Sequence, residues 1–90
     1  MTVVIVREDN HGVVGVATNY KNAVKYLVRT AWLDGRMELY DGEKDTEIFV
    51  ECDLGENWLD VILDWSLSEF NWYFDGYFYL EEIEVSEYND

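Results

Sequence analysis

Two side chains of this sequence, each the only one of its kind, could form a nucleophile–base pair; carboxylate pairs are too numerous to indicate an acid/base couple. His11 is the only histidine and Cys52 the only cysteine. His11 follows Asp and Asn and precedes Gly, which indicates a solvated turn residue. A single free cysteine is typically a small buried apolar residue, and we expect this of Cys52. A Cys–His pair needs a group that orients it, and no pattern supplies one. We therefore predict a protein without catalytic residues and without enzymatic activity.

Alternating acids in one segment have the spacing of oxygen ligands in a calcium loop. They are Asp41, Glu43, Asp45 and Glu47. An EF-hand loop requires Gly at its sixth position and Glu at its twelfth. Thr46 and Cys52 occupy those positions here. We predict a solvated acidic turn that binds no metal, and the chain also lacks a phosphate-cradling glycine loop, so we expect no cofactor.

The distribution of charge carries the main functional signal. The chain holds 20 acidic and six basic residues, a net charge of −14. Residues 1–36 have a net charge of +2, and residues 37–90, with 17 acids and one base, have −16. Such asymmetry indicates a charged interaction surface. Its sign excludes direct binding to nucleic acid or to an anionic membrane, since both would be repelled.

Six acidic residues are our candidates for contact with a partner. Three recur every four residues on a predicted helix, with a rise of about 6 Å per step, and three lie on the last predicted strand. They are Glu56, Asp60 and Asp64, and Glu81, Glu82 and Glu84. This spacing is on the scale of a nucleic-acid backbone and favours binding in the DNA or RNA channel of a basic protein. Solubility alone is the alternative use of the charge.

The first half of the chain predicts a hairpin and a helix. Residues 2–8 are β-branched and apolar, as in a buried strand, and residues 13–17 return as a second strand. Thr18-Asn19 supplies a predicted N-cap, since either side chain can accept from a backbone N–H, and the apolar spacing along residues 20–31 predicts one helix face. Gly35 is the predicted C-terminal stop.

The second half predicts two hairpins around a helix. The predicted strands are residues 37–40, 46–52, 70–74 and 77–85, and the predicted helix is 57–69. Asp75-Gly76 is the strongest hairpin signal in the chain. An alternative extends the second helix through Tyr73. The element order is then β-β-α-β-β-α-β-β, an α+β fold with a small mixed or antiparallel sheet packed on two helices, in a single domain of residues 1–90.

An aromatic cluster near the last hairpin has two interpretations. Its members are Phe70, Trp72, Tyr73, Phe74, Tyr77, Phe78 and Tyr79. They either form the core and cross-strand pairs or expose a patch for a protein partner. The second interpretation predicts a generic interaction module, or a homodimer that self-associates through the aromatic hairpin.

Three segments follow one another in the first third of the chain: Val3-Val4-Ile5-Val6, Val13-Val14-Gly15-Val16-Ala17 and Asn19-Tyr20-Lys21-Asn22-Ala23-Val24. This pattern resembles that of small hypothetical proteins from phages and mobile elements of Gram-positive bacteria. The acidic remainder is similar in character to DNA-mimic inhibitors, including anti-CRISPR and anti-restriction proteins. The resemblance implies a phage accessory protein that inhibits a CRISPR effector or other defence nuclease by blocking its DNA site. With no membrane span and one cysteine, we expect a cytoplasmic protein, in the host cytoplasm if phage-encoded.

Overall fold

Two antiparallel sheets and four helices make up residues 1–85, the part of the chain that the computed structural model describes, apart from the side chain of Asp41. The strands are β1 (Thr2–Glu8), β2 (Gly12–Ala17), β3 (Glu38–Asp41), β4 (Thr46–Phe49) and β5 (Phe78–Glu84). The helices are α1 (Tyr20–Arg29), α2 (Val50–Leu54), α3 (Trp58–Leu63) and α4 (Leu67–Tyr73). The predicted α+β class is confirmed. None of these helices is long and apolar enough to cross a membrane.

The first predicted hairpin is confirmed, and β1 is the centre of its sheet. β1 pairs antiparallel with β2 on one side and with β5 on the other, giving the order β2-β1-β5. Gly12 begins β2 with φ of 74°, a conformation that glycine adopts without strain. Val4 and Val6 are fully buried. The continuous β-branched sequence of β1 therefore matches a strand that is paired on both edges.

Helix α1 begins where the sequence predicts but ends earlier. The Asn19 side chain accepts a hydrogen bond from the N–H three residues later, at 2.8 Å. The helix does not continue to Gly35, because Ala31 takes φ of 64° and turns the chain out of the helix. This turn buries Leu33, whose N–H still donates to a helix carbonyl at 3.1 Å. Burial of a large apolar side chain therefore decides the helix end.

The second hairpin is confirmed only as far as Phe49. β3 and β4 pair antiparallel, with Glu38 opposite Phe49. The predicted strand 46–52 is wrong in its last three residues, which belong to α2. The N–H of Val50 donates to the carbonyl of Met37 at 3.0 Å, beyond the last strand pair. The chain bends into a helical turn there and leaves it at Gly55, which has φ of 91°.

The predicted helix 57–69 is two helices, α3 and α4. The Ser66 hydroxyl accepts from the N–H of Glu69 at 3.2 Å, and the Glu69 carboxylate accepts from the Ser66 N–H at 3.4 Å. This reciprocal capping box satisfies backbone donors that would otherwise be orphaned at a helix start. It begins a new helix where periodicity alone predicts a continuous one.

The predicted strand 70–74 is wrong, because these residues complete and cap α4. Phe70 and Phe74 are four residues apart and both fully buried, which is the spacing of one helix face. The alternative prediction, which extends the second helix through Tyr73, is correct that residues 70–73 are helical. Asp75-Gly76 consequently links a helix to β5 instead of closing a hairpin, with Gly76 at φ of 84°.

The core lies between the inner face of the three-stranded sheet and the helices. In β5, Phe78 and Leu80 point inward with Val4 and Val6 of β1. α1 packs on β1 and β2, and α4 packs on β5. The opposite side of the sheet, here called the outer face, carries exposed apolar residues. They are Val13, Val16, Tyr79 and Ile83.

Candidate protein-binding surface

The first three predicted contact residues surround α3 and are all exposed. Glu56 lies in the turn before the helix, Asp60 in its first turn, and Asp64 at its C-terminal cap. The Asp64 N–H donates to the Asp60 carbonyl at 3.2 Å, so these two residues are one helical turn apart. We call these three residues the acidic stripe. In residues 1–85, no basic side chain forms a salt bridge with any of them.

The other three predicted contact residues lie on β5 and differ in their surroundings. Glu81 is partly buried on the outer face and its Oε1 lies 3.3 Å from Nη1 of Arg7. Glu84 accepts from the Thr2 hydroxyl at 2.8 Å and from the N-terminal amine at 3.0 Å. These two hydrogen bonds lower the pKa of the Glu84 carboxyl. Glu82 is exposed. Two of the three therefore already serve contacts within the chain.

The acidic stripe and the β5 acids lie on elements with different neighbours. α3 packs on α1 and α2, whereas β5 packs on β1 and α4. The six predicted contact residues therefore belong to two separate parts of the fold, one at α3 and one on β5.

Like charges also meet across the β3–β4 hairpin. Glu38 and Glu47 are both exposed, on the neighbouring strands β3 and β4. Hydrogen bonding of the protonated Glu38 carboxyl with Glu47, and the charge of Glu47, raise the pKa of Glu38. Of the four residues tested as calcium ligands, the Asp41 side chain lies outside the described part. Among described side chains, no group of three or more His, Cys, Asp or Glu could hold a metal ion.

The basic side chains of α1 form no salt bridge with these acids in residues 1–85. Lys21, Lys25 and Arg29 are exposed on the helix face away from the core. The Arg29 guanidinium lies 5.8 Å from the centroid of the Tyr26 ring.

The two residues considered for nucleophilic chemistry are both exposed. The prediction that Cys52 is buried is wrong, because it lies on the solvent side of the five-residue helix α2. His11 is in the turn between β1 and β2, as predicted. Its Nδ1 is hydrogen-bonded to Oε2 of Glu8, and its ring lies 5.0 Å from that of Trp32. This hydrogen bond lowers the pKa of Glu8.

A groove beside α4 is the feature that sequence reasoning missed. It has a volume of about 440 Å³, and we call it the α4 groove. Its lining residues are Trp65, Ser68, Glu69, Trp72 and Tyr73. The Trp72 side chain is 81% exposed, the largest exposure among the large hydrophobic residues described. Trp65 and Trp72 are seven residues apart, so treating residues 65–73 as helical would have placed them on one face.

The aromatic cluster predicted from the sequence is divided by the fold. Phe70, Phe74 and Phe78 are in the core, whereas Trp72 and Tyr79 are exposed. The core interpretation is confirmed for the three phenylalanines, and a partner patch that includes Trp72 or Tyr79 stays a prediction.

Comparison of the chain with protein-family models, with curated proteins and with solved structures found no match.

Proposed function

We propose that this protein is a non-enzymatic acidic inhibitor that binds a basic nucleic-acid-binding protein and competes with DNA or RNA for it. The observation that carries the proposal is the acidic stripe, whose three exposed carboxylates have no salt bridge within the described chain. Their mutual repulsion opposes folding and is relieved when a cationic surface covers them.

The spacing of the stripe supports competition with nucleic acid. One helical turn separates Asp60 from Asp64, a rise of about 6 Å along the axis. Basic proteins that bind nucleic acid present Lys and Arg to a row of phosphates. A row of carboxylates can occupy the same cations, while the chain's net charge of −14 speeds their encounter.

The resemblance to phage inhibitors favours one class of partner, a CRISPR effector nuclease or another defence nuclease of the host. Such a protein carries a positively charged channel for its nucleic acid. On this proposal the protein acts in the cytoplasm of the host and contacts neither nucleic acid nor membrane directly.

Affinity capture with salt and DNA as competitors tests the proposal. Immobilised protein is incubated with a nuclease-treated bacterial lysate, and bound proteins are eluted by a salt gradient or by duplex DNA. We expect a basic nucleic-acid-binding protein that leaves at moderate salt and is displaced by DNA. A partner that is retained at high salt and unaffected by DNA would contradict the proposal.

Two charge-matched variants sharpen this experiment. Asp60→Lys with Asp64→Lys reverses two charges on the stripe and should abolish capture. Asp9→Lys with Asp75→Lys makes the same change in net charge at two exposed turn residues. This variant should still capture most of the partner. Equal loss in both variants would show that net charge alone is responsible.

Self-association through the outer face is the second candidate, favoured by its exposed apolar residues. Val13 and Val16 are 56% and 58% exposed, and Tyr79 is 52% exposed. Three strands of about six residues present roughly 15 by 20 Å, or about 300 Å². A stable interface buries about 800 Å² per partner, so this face by itself supports only weak association. Sedimentation at several concentrations and salt strengths would detect a dimer that is insensitive to salt.

A further inference from the structure

The α4 groove combines aromatic walls with one carboxylate, that of Glu69. The ring centroids of Trp65 and Tyr73 are 5.0 Å apart with an interplanar angle of 55°. Glu69 lines the same groove, and the Tyr73 hydroxyl donates to Oδ2 of Asp53 at 2.7 Å. Aromatic faces carry negative charge density and attract cations, most strongly at Trp. The groove therefore offers a cation both ring faces and carboxylate oxygens.

We infer that the α4 groove binds an arginine side chain of the basic partner. This inference rests on the proposed function, because it names the chemistry of that same partner. A planar guanidinium stacks on aromatic rings and donates to a carboxylate at the same time, whereas an ammonium group lacks the planar surface. The volume of about 440 Å³ is within the range of sites that hold small organic groups.

The walls of the groove are held in place before any ligand arrives. Tyr73 is fixed at its hydroxyl by Asp53 and at its ring by Phe74, whose centroid is 4.9 Å away. Burial, followed by the hydrogen bond to Asp53, raises the pKa of the Tyr73 hydroxyl. The hydroxyl thus stays protonated and keeps its donor role. A preformed wall reduces the entropy lost on binding.

Trp72 is the most exposed wall of the site and its largest source of binding area. Its indole is 81% exposed while Phe70 and Phe74, on the core side of the same helix, are fully buried. The fold therefore gains little from this tryptophan. Tryptophan and arginine are the residue types most enriched at binding hot spots, where they pair across the interface.

The charge around the groove selects a cation over other aromatic-binding groups. Among residues 1–85, Glu69 is the only charged residue that lines the groove. Its Oε1 accepts from the Ser66 hydroxyl at 3.1 Å, and its Oε2 has no hydrogen bond within the described chain. A nucleotide base could stack on the same rings, but its phosphate would meet this carboxylate and the net charge of the protein. A guanidinium is attracted both by this carboxylate and by the negative net charge of the protein.

Titration with short peptides tests the inference directly. The probes are a peptide of alternating glycine and arginine, and the same peptide with lysine or with uncharged citrulline in place of arginine. We expect the order arginine, lysine, citrulline in affinity, with shifts of the indole N–H resonances of Trp65 and Trp72. A single-stranded DNA oligonucleotide that shifts the same resonances, or equal binding of arginine and citrulline peptides, would overturn the inference.

Three variants identify the groove. Trp72→Ala should weaken binding of the arginine peptide about fivefold to tenfold. Glu69→Gln retains a side chain that can complete the capping box. This variant should weaken binding of the arginine peptide about threefold. Tyr79→Ala removes an exposed aromatic residue from the outer face and should change nothing. If Trp72→Ala binds as the parent protein does, the inference is wrong.

The same variants separate this inference from the proposed function. The Asp60→Lys, Asp64→Lys variant could lose capture from the lysate while Trp72→Ala keeps both capture and peptide binding. This result would overturn only the inference that the groove binds arginine. Arginine-specific peptide binding that requires Trp72, with no captured protein displaced by DNA, would support the groove and contradict competition with nucleic acid.

Discussion

Replacing Gly35 with alanine should disturb the position of α3 and of the acidic stripe. A Cβ at Gly35 would lie 2.6 Å from Nε1 of Trp58 and 2.9 Å from its Cε2, and 3.2 Å from Oε2 of Glu51. Carbon atoms do not approach this closely without repulsion, so the indole must move. Because Trp58 is the first residue of α3, its displacement also moves the helix that carries Asp60.

The size of the effect follows from how far the indole can relax. Overpacking by one methyl group costs about 1–3 kcal/mol. Trp58 is only partly buried and Glu51 is exposed, so both can move outward and we expect about 1–2 kcal/mol. For a domain of this size, 1 kcal/mol lowers Tm by about 4–8 °C. Gly35→Ala should therefore lower Tm by about 4–16 °C.

Urea unfolding followed by tryptophan fluorescence measures this difference, with Gly42→Ala as the matched control. A Cβ at Gly42 would meet only Cε1 of Tyr40, at 3.8 Å. The control should be unchanged or more stable by about 0.4–1 kcal/mol, since alanine restricts the unfolded chain. Equal unfolding midpoints for the two variants would refute the claim that Gly35 is needed for the approach of Trp58.

Three further substitutions test the caps and the exposed carboxyls. Ser66→Ala removes the N-cap of α4 and should cost about 1 kcal/mol in urea unfolding. Glu84 has a lowered pKa in the folded protein, so its stabilising effect is present above the unfolded pKa and is lost as pH falls through the folded pKa. Glu84→Gln should therefore lower Tm at neutral pH and not at acidic pH, below the folded pKa. Glu38 has a raised pKa, so its contribution is favourable below the unfolded pKa and is lost as pH rises through the folded value. Glu38→Gln should raise Tm at neutral pH, and Tm measured from pH 2 to 8 checks both signs.

For each of these three substitutions, one result would contradict the prediction. An unchanged midpoint for Ser66→Ala would mean that packing of Phe70 alone sets the start of α4. A Glu84→Gln profile parallel to that of the parent protein would remove the role of its contacts with Thr2 and the N-terminal amine. Loss of stability in Glu38→Gln at neutral pH would show that this carboxyl is not repelled there.

The parts of the fold that the sequence predicts well are those with a local physical cause. The β-branched run of β1 and the turn before Gly12 predict the first hairpin. The Asn19 cap and the apolar spacing behind it predict the start of α1. Charge segregation is also visible directly, since five of the six basic residues lie within residues 1–36. Each of these signals depends on neighbours within a few residues.

The predictions fail where two local signals compete. Asp75-Gly76 between aromatic runs favours a hairpin, but Phe70 and Phe74 are buried on one face of α4. The Ser66 capping box divides a stretch whose apolar spacing predicts one helix. Burial of Phe70 and Phe74 outweighs the turn signal in the first place, and the capping box outweighs the apolar spacing in the second.

The sequence by itself determined the α+β class, the first hairpin and helix, and the excess of negative charge, because propensity, capping and charge are properties of neighbouring residues. The tertiary structure alone decided that β5 pairs with β1, in a register that sets Leu80 opposite Val6. It also decided that Trp65, Trp72 and Tyr73 line one groove with Glu69. These arrangements depend on which distant apolar surfaces cover each other, and only the packed core selects among those pairings.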